Sequence, residues 1–338
     1  MSAGPLVSAI IPTYNRAKLV GEAVESVLAQ TYRNLEVIVV DDGSSDDTIA
    51  SLKRYGSRIR VLTQSNAGPA AARNHGIRLS HGELVAFLDS DDLWLPTKIE
   101  RQVALLDKAG PSVPCCLSNV VMRWADREVT SFANSWLNPD LREGIWLNPD
   151  QVLATRFVLF NQAVMIRRST LNSIGGFNEN LRLLEDAELS MRLSLEGPWA
   201  FIGEPLVVWR ESSVSCYQGT RHDEVSSQVP MTNILVGQLS RLSDSEHESL
   251  RKHLKRELNS LRRQLKAAAL RKQGGWGASV AGELIERAER YRKAAFRRSP
   301  WFPKMKVESV ASWNQKRREA AIPTDENPPH PLAASLHP

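Results

Sequence analysis

Cysteine is scarce in this chain. Its 338 residues include three, two of them adjacent (Cys115 and Cys116), which give neither a disulfide framework nor a zinc-ligand spacing. A reducing compartment, the cytoplasm, is therefore expected. Long apolar runs are also missing, and none reaches the roughly 18 residues of a membrane-spanning helix. Met1-Ser2-Ala3-Gly4 leads straight into an apolar run with no basic stretch ahead of it, which predicts no signal peptide. Glycine-rich phosphate loops are lacking: neither G-x-G-x-x-G nor G-x-x-x-x-G-K-[ST] occurs. If the chain binds a nucleotide, a metal must handle the phosphate charge.

What is present is unevenly charged. Residues 1–240 carry 22 Lys/Arg against 27 Asp/Glu, a net of −5. Residues 241–320 carry 21 against 9, a net of +12, and the last 18 residues add −2. This divides the chain into an acidic body (1–240), a basic extension (241–320) and a short tail (321–338). In the extension Leu250, Leu254, Leu258, Leu261 and Leu265 recur at helical spacing among Lys and Arg. Gly274-Gly275 interrupts them, and a second helix is expected over 279–296. The Pro-rich, polar end reads as disordered.

In the body, Val7–Ile11 reads as a strand ended by Pro12, and Glu36–Val40, Ile59–Leu62 and Leu84–Leu88 as three more, with helices between them near 18–29, 47–55 and 69–78. Alternating strands and helices mean βαβ units and a parallel sheet. Later segments predict a helix over 96–106, strands at 114–121, 157–166, 199–202 and 206–209, and a helix from Glu185 to about Leu195. Trp-Leu-Asn-Pro-Asp occurs twice, at 136–140 and 146–150, without a physical explanation.

Two strand ends carry acids: Asp41-Asp42, then Asp89-Ser90-Asp91-Asp92. Crowded carboxylates repel one another, and a hard divalent cation, Mg²⁺ or Mn²⁺, offsets that cost. The alternative is a surface turn whose acids cap the following helix. Asp42 is placed to accept hydrogen bonds from a base or ribose. Glu185-Asp186 follows a Gly-Gly turn, and could either deprotonate a hydroxyl or stabilise a helix N-terminus.

Pro12-Thr13-Tyr14-Asn15-Arg16, Val39-Val40-Asp41-Asp42-Gly43-Ser44, the N-x-G-x-x-x-A-R-N-x-G run from Asn66 to Gly76, Leu88-Asp89-Ser90-Asp91-Asp92, Gly175-Gly176-Phe177 and Glu185-Asp186 stand in the order and spacing of family 2 glycosyltransferases. The resemblance spans residues 5–215. It implies a GT-A fold: an α/β protein with a Rossmann-like, mainly parallel sheet flanked by helices, here with a C-terminal helical extension. It implies an inverting hexosyl transfer from a nucleotide-diphospho-sugar, a UDP-sugar, to a hydroxyl of a glycan or lipid-linked acceptor, in cell-surface polysaccharide, lipopolysaccharide or glycoprotein glycan assembly. Pro12, Thr13, Tyr14, Arg16 and Asp42 would line the nucleobase pocket, Arg73 would approach the pyrophosphate, Asp89 the ribose or the cation, and Asp91 would hold Mn²⁺ or Mg²⁺. Asp186, with Glu185 beside it, would be the catalytic base.

The sequence departs from the family pattern in two places. Trp209-Arg210 leads into Glu211-Ser212-Ser213 where many relatives carry a His, so a third metal ligand is not identified. The Gln-x-x-Arg-Trp run of processive synthases is absent, which favours single transfer. The rival readings are a sugar nucleotidyltransferase and a catalytically inactive nucleotide-binding module. For the basic extension, packing on the body is expected first, then peripheral contact with an anionic membrane on its cytoplasmic face through Arg297-Arg298, Trp301-Phe302, Lys304 and Lys306. Nucleic acid comes last.

Overall fold

The computed structural model describes residues 4–211 apart from 136, 138–140, 154–158 and 182–183, then scattered residues between 248 and 263, and 306–320. Four apolar runs become the parallel strands β1 (Val7–Thr13), β2 (Leu35–Asp41), β3 (Arg60–Thr63) and β4 (Leu84–Phe87), in the spatial order β4-β1-β2-β3. Helices cross between them: α1 (Val20–Leu28), α2 (Thr48–Leu52) with a 3-10 turn over Lys53–Arg58, and α3 (Pro69–Leu79), which starts on a proline that needs no helical N–H partner. Both faces of the sheet are covered, so the strands are apolar without interruption. Ala9, Ile11, Val37 and Val39 pack with α1 in one layer, and Ile10, Ile38, Val40 and Phe87 pack with α3 in the other.

Pro12 does not end the first strand. The carbonyl of Ile10 accepts from Leu88 N at the end of β4, and Thr13 O accepts from Asp42 N on the β2 side. Pro12 is on the same side of the strand as Ile10 but beyond the last residue of β4, so its missing N–H breaks no ladder bond.

The second half of the body adds antiparallel strands to the parallel ones and makes the sheet mixed. It comprises β5 (Leu93–Trp94), α4 (Lys98–Ala109), β6 (Cys115–Arg123), β7 (Glu128–Thr130), α5 (Ser131–Asn134), β8 (Glu143–Trp146), α6 (Pro149–Leu153), β9 (Val164–Arg167), α7 (Arg168–Ile174), α8 (Glu185–Leu193) and β10 (Trp199–Arg210). β9 runs antiparallel to both β4 and β6, and β10 runs parallel to β6. β6 and β10 therefore point the same way as β4, and Arg210 reaches the rim that carries Asp89–Asp92. The expected strand over 157–166 begins only at Val164, after a 3-10 turn at Asn161–Ala163. The two short strands expected at 199–209 are one, β10, whose register shifts around Pro205.

The chain returns at its end. β11 (Val307–Glu308) pairs with β8 and completes the sheet order β11-β8-β10-β6-β9-β4-β1-β2-β3. α9 (Val310–Ala320) then caps α4: Trp313 Nε1 and Arg317 Nη1 donate to Ala109 O, and Asn314 Nδ2 donates to Lys108 O. These are carbonyls that a helix end leaves without intrahelical partners. Leu254 and Leu258 of the leucine stripe are buried in the α3-side layer. The helix expected over 279–296, the aromatic-basic run at 297–305 and the tail 321–338 lie outside the described residues. Among the described residues no helix is long and apolar enough to cross a membrane.

Candidate active site

The strand order reverses at β1, and in open α/β sheets the crevice beyond the carboxyl ends at such a switch is where ligands bind. Two loops form its first wall. At the end of β1, Asn15 adopts φ 50°, a left-handed conformation that Asn tolerates better than most residues. Asn15 N donates to Ser44 Oγ, Ser45 N donates to Asn15 Oδ1, and Arg16 N donates to Thr48 Oγ1. The loop after β2 is thus tied to the loop after β1. Gly43 makes that turn at φ 79°, where a Cβ would lie 3.0 Å from Asn66 N.

The two acids of this wall divide their work. Asp42 is buried, and its carboxylate accepts from Gln64 Nε2 (2.8 Å), Ala67 N (2.9 Å) and Gly68 N (2.8 Å). It buttresses the turn that launches α3. Asp41 accepts from Ser44 N through Oδ2, while its Oδ1 is buried without a protein partner. The same holds for Thr13 Oγ1 on the neighbouring strand, in register with Asp41. Two unpartnered buried oxygens at one strand end are where a ligand's donors would be accommodated. Asp41 is thus the acid with an oxygen to offer, although the sequence pointed first to Asp42. Tyr14 is 43% exposed at the mouth, and Pro12 is buried in β1.

The second wall is the loop after β4. Asp92 turns inward and accepts from Gln162 Nε2 (2.5 Å) and Arg210 N (2.9 Å). Asp89 and Asp91 are part-buried, with side chains 32% and 20% exposed. Asp91 Oδ2 lies 3.8 Å from Arg16 Nε. Burial, then the charge of Asp89, raise the pKa of Asp91 above the usual carboxylate range, with Arg16 opposing. A raised carboxylate beside another carboxylate marks negative charge that the protein leaves under-compensated.

The third wall is α8. Leu184, before it, takes φ 65°, a strained conformation for a branched side chain. It starts the helix so that Glu185 turns in and Asp186 stands at its opening. Arg73 of α3, only 3% exposed, bridges the walls: Nη2 donates to Asp89 Oδ1 (2.6 Å) and Nη1 to Glu185 Oε1 (2.7 Å). Its guanidinium lies over the Phe177 ring at 5.3 Å. Next to it, Asn74 Nδ2 donates to Phe177 O and Asn74 Oδ1 accepts from Phe177 N, clamping the Gly175-Gly176-Phe177 turn onto α3. Arg73, the residue expected near a pyrophosphate, is the buried link between the acids of β4 and α8. Burial, then Glu185, push Asp186 up to about 7. That places its proton exchange near neutral pH, where a general base is most effective.

The donor set fits a hard divalent cation. Among the described residues no cluster of three or more His, Cys, Asp or Glu forms a closed metal cage. Mg²⁺ and Mn²⁺ sites on nucleotides instead use one or two carboxylates, with phosphate and water completing the shell. Asp91 and the outer oxygen of Asp89 supply that much. Of the groups at the rim, the sequence did not single out Arg210; its position is set by strand pairing, which sequence spacing does not reveal.

Residues 8–167 match the family described as Glycosyl transferase family 2. The UDP-Glc:alpha-D-GlcNAc-diphosphoundecaprenol beta-1,3-glucosyltransferase WfgD of Escherichia coli is 44% identical over 105 residues, 30% of this chain and 42% of that protein. The chain spans less than half the length of the curated relatives it matches. Among solved structures, Staphylococcus aureus TarS 1-349 in complex with UDP-GlcNAc superposes with a TM-score of 0.61 at 20% identity, covering 76% of this chain and 72% of that one. Mannosyltransferase PcManGT from Pyrobaculum calidifontis, in complex with GDP-Man and Mn2+, gives 0.50 at 21% identity, covering 94% and 85%. These likenesses establish the GT-A fold.

Proposed function

We propose that this chain, whose residues 8–167 belong to glycosyl transferase family 2, transfers one hexose from a UDP-sugar to a hydroxyl of a glycan or lipid-linked acceptor, with inversion at the anomeric carbon. The observation that carries this reading is the bridge Asp89–Arg73–Glu185, which sets the base candidate Asp186 against the acidic loop of the nucleotide crevice. The UDP of the TarS complex and the UDP-Glc and lipid-linked acceptor in the name of WfgD support the donor and acceptor classes.

In this mechanism the nucleobase enters between Tyr14 and the end of β2, where Thr13 Oγ1 and Asp41 Oδ1 have no other partner. Pro12 and Arg16 complete the wall, and Asp42 holds the turn behind it. Asp186 accepts the acceptor's hydroxyl proton while the oxygen attacks the anomeric carbon in line. The new glycosidic bond forms as the sugar–phosphate bond breaks, and the nucleoside diphosphate departs with the bonding pair. When bound at Asp91 and Asp89, Mn²⁺ or Mg²⁺ would neutralise charge growing on the departing diphosphate. Arg73 stays a buried strut that holds Glu185 through its ion pair.

The experiment is thermal stability against a panel of nucleoside diphosphates, each with and without Mn²⁺, followed by transfer assays with the matching sugars. A ligand that binds only the native state raises the melting temperature. A metal-dependent shift with UDP, and release of UDP on transfer, are expected. Release of pyrophosphate would make the chain a nucleotidyltransferase, and binding without turnover would make it an inactive nucleotide-binding module. The buried Leu254 and Leu258 support packing of the basic extension on the body. Peripheral attachment to anionic membrane on the cytoplasmic face, near a lipid-linked acceptor, is tested by flotation with phosphatidylglycerol vesicles at low salt, and vesicles that stay unbound would remove it.

A further inference from the structure

Arg210 ends β10 at the rim of the crevice, and three of its groups grip neighbouring elements. Its backbone N donates to Asp92 Oδ1 (2.9 Å) and its Nε to Asp91 O (2.6 Å). Its Nη1 pairs with Glu22 of α1. Its Nη2 is buried, with no protein partner. β5 pairs with β10 through Leu93–Val208 and Trp94–Val207, so the acidic loop is stitched to β10 immediately after Asp92. Gln162 holds Asp92 from the other side. The loop is thus fixed at its backbone and at its inner acid, leaving the carboxylates of Asp89 and Asp91 part-exposed at the rim.

We infer that Arg210 is a positioning residue for cation binding: with Glu22 as its own anchor, its guanidinium holds the Asp91 carbonyl so that the Asp91 carboxylate faces the crevice. The inference rests on the reading of this loop as a site for a divalent cation and a nucleoside diphosphate. Chemistry gives it a sign that a purely electrostatic role cannot imitate. A guanidinium beside Asp91 repels a metal ion, so if charge were all that mattered, removing it would tighten cation binding. A clamp predicts the opposite, because groups that orient metal ligands typically cost about 10–100-fold in metal affinity when lost. Lysine keeps the charge but cannot reach Asp91 O and Glu22 together, since it has one nitrogen where arginine has a fork.

The test is calorimetric titration of Mn²⁺ into the full chain saturated with UDP, and with GDP in parallel, for the wild type and for Arg210→Lys, Arg210→Ala and Glu22→Gln. Melting temperatures without ligand separate folding from binding. The expected result is that Arg210→Lys and Arg210→Ala both weaken Mn²⁺ at least about tenfold, while Glu22→Gln weakens it less and metal-free UDP binding changes less than twofold. In transfer assays the Mn²⁺ concentration for half-maximal rate should rise in parallel, with kcat at saturating Mn²⁺ largely restored. Unchanged or tighter Mn²⁺ binding in Arg210→Ala overturns the inference, as does full retention of affinity in Arg210→Lys. If Arg210→Ala does not fold, Arg210→Lys and Glu22→Gln decide. If the wild type binds no diphosphate with any Mn²⁺ dependence, the site reading itself fails and the inference falls with it.

Discussion

Among the described residues two cations are buried, one at the rim of the sheet and one at the start of α4. Arg73 is enclosed by Asp89 and Glu185. Burial alone would lower its pKa, but the two carboxylates outweigh burial and raise it. Lys98 is fully buried too, yet it meets only Gln102 Oε1 at 2.7 Å and the face of Trp94 at 4.2 Å. Burial therefore pushes it down to about 7, with only a partial offset from Cys116. The interior keeps a charge where acids surround it and presses toward neutrality where they do not. At the rim the buried cation is compensated by Asp89 and Glu185, which suits the proposed transfer from an anionic donor.

Removing the compensation is the strongest way to break this contrast. Arg73→Met leaves Asp89 and Glu185 without their cation, and breaking a buried pair from one side costs about 3–5 kcal/mol. Guanidinium denaturation should show that loss, and transfer should disappear with it. A melting temperature within a degree or two of wild type would mean that the acids find another cation, and the bridge would not be what holds α8 to the crevice.

Asp186→Asn separates catalysis from folding. Loss of a general base typically costs about 10²–10⁴ in kcat. Its folded pKa of about 7 lies above an ordinary carboxylate's. The folded state therefore binds this proton more tightly than the unfolded state, and the stability penalty grows as pH rises toward 7 and is full above it. The asparagine variant should melt at a higher temperature than wild type at pH 8 and show no such gain at pH 4. In the wild type, kcat/KM should rise about tenfold per unit below pH 7 and level off above it. A pH-independent rate between 5 and 8 would exclude Asp186 as the base.

The inward and outward acids of the crevice offer a finer version. Asp42→Ala orphans Gln64, Ala67 and Gly68 donors at once. It should cost about 2 kcal/mol of stability. Asp91→Asn should leave stability within about 0.5 kcal/mol and abolish the metal-dependent part of UDP binding. Reversed outcomes would exchange the structural and ligand roles assigned here.

Why some of this could be read from sequence is a matter of range. The strands around Ile10, Ile38 and Val85 are buried on both faces, so their apolar runs are unbroken, and Pro69 marks the start of α3 by its own chemistry. The candidate acids could be named because they sit at the ends of those runs. The partner that defines Arg73 lies 112 positions away. Arg210 meets Asp91 across 119 positions. No local pattern encodes such pairings. β11 and α9 escape for the same reason: what makes them structured is an edge of β8 and the open carbonyls of α4. The strands expected at 199–202 and 206–209 are one because the ladder shifts register around Pro205 and does not end there.

The smallest effect belongs to the other cation and runs the opposite way to Arg73→Met. Lys98→Met replaces a desolvated amine with an apolar chain of similar length. Unfolded, the amine titrates near 10.4; folded, near 7. Below pH 7 both states carry the proton, and the cost of burying the charge is at its full value. Between pH 7 and about 10.4 the unfolded state holds its proton longer, so the wild type gains stability as pH rises and the penalty is gone at the top of that range. Exchanging buried charge for packed apolar volume gains about 1–4 kcal/mol, from which the orphaned Gln102 oxygen subtracts about 1 kcal/mol. Urea denaturation at pH 6.5 should therefore show the methionine variant more stable by roughly 1–2 kcal/mol, within the range those two terms allow. At pH 10 the difference should vanish or reverse, since only the Gln102 term remains. A gain that is the same at both pH values would mean that Lys98 keeps its proton in the folded protein throughout, and that the described interior holds a second charge with no acid beside it.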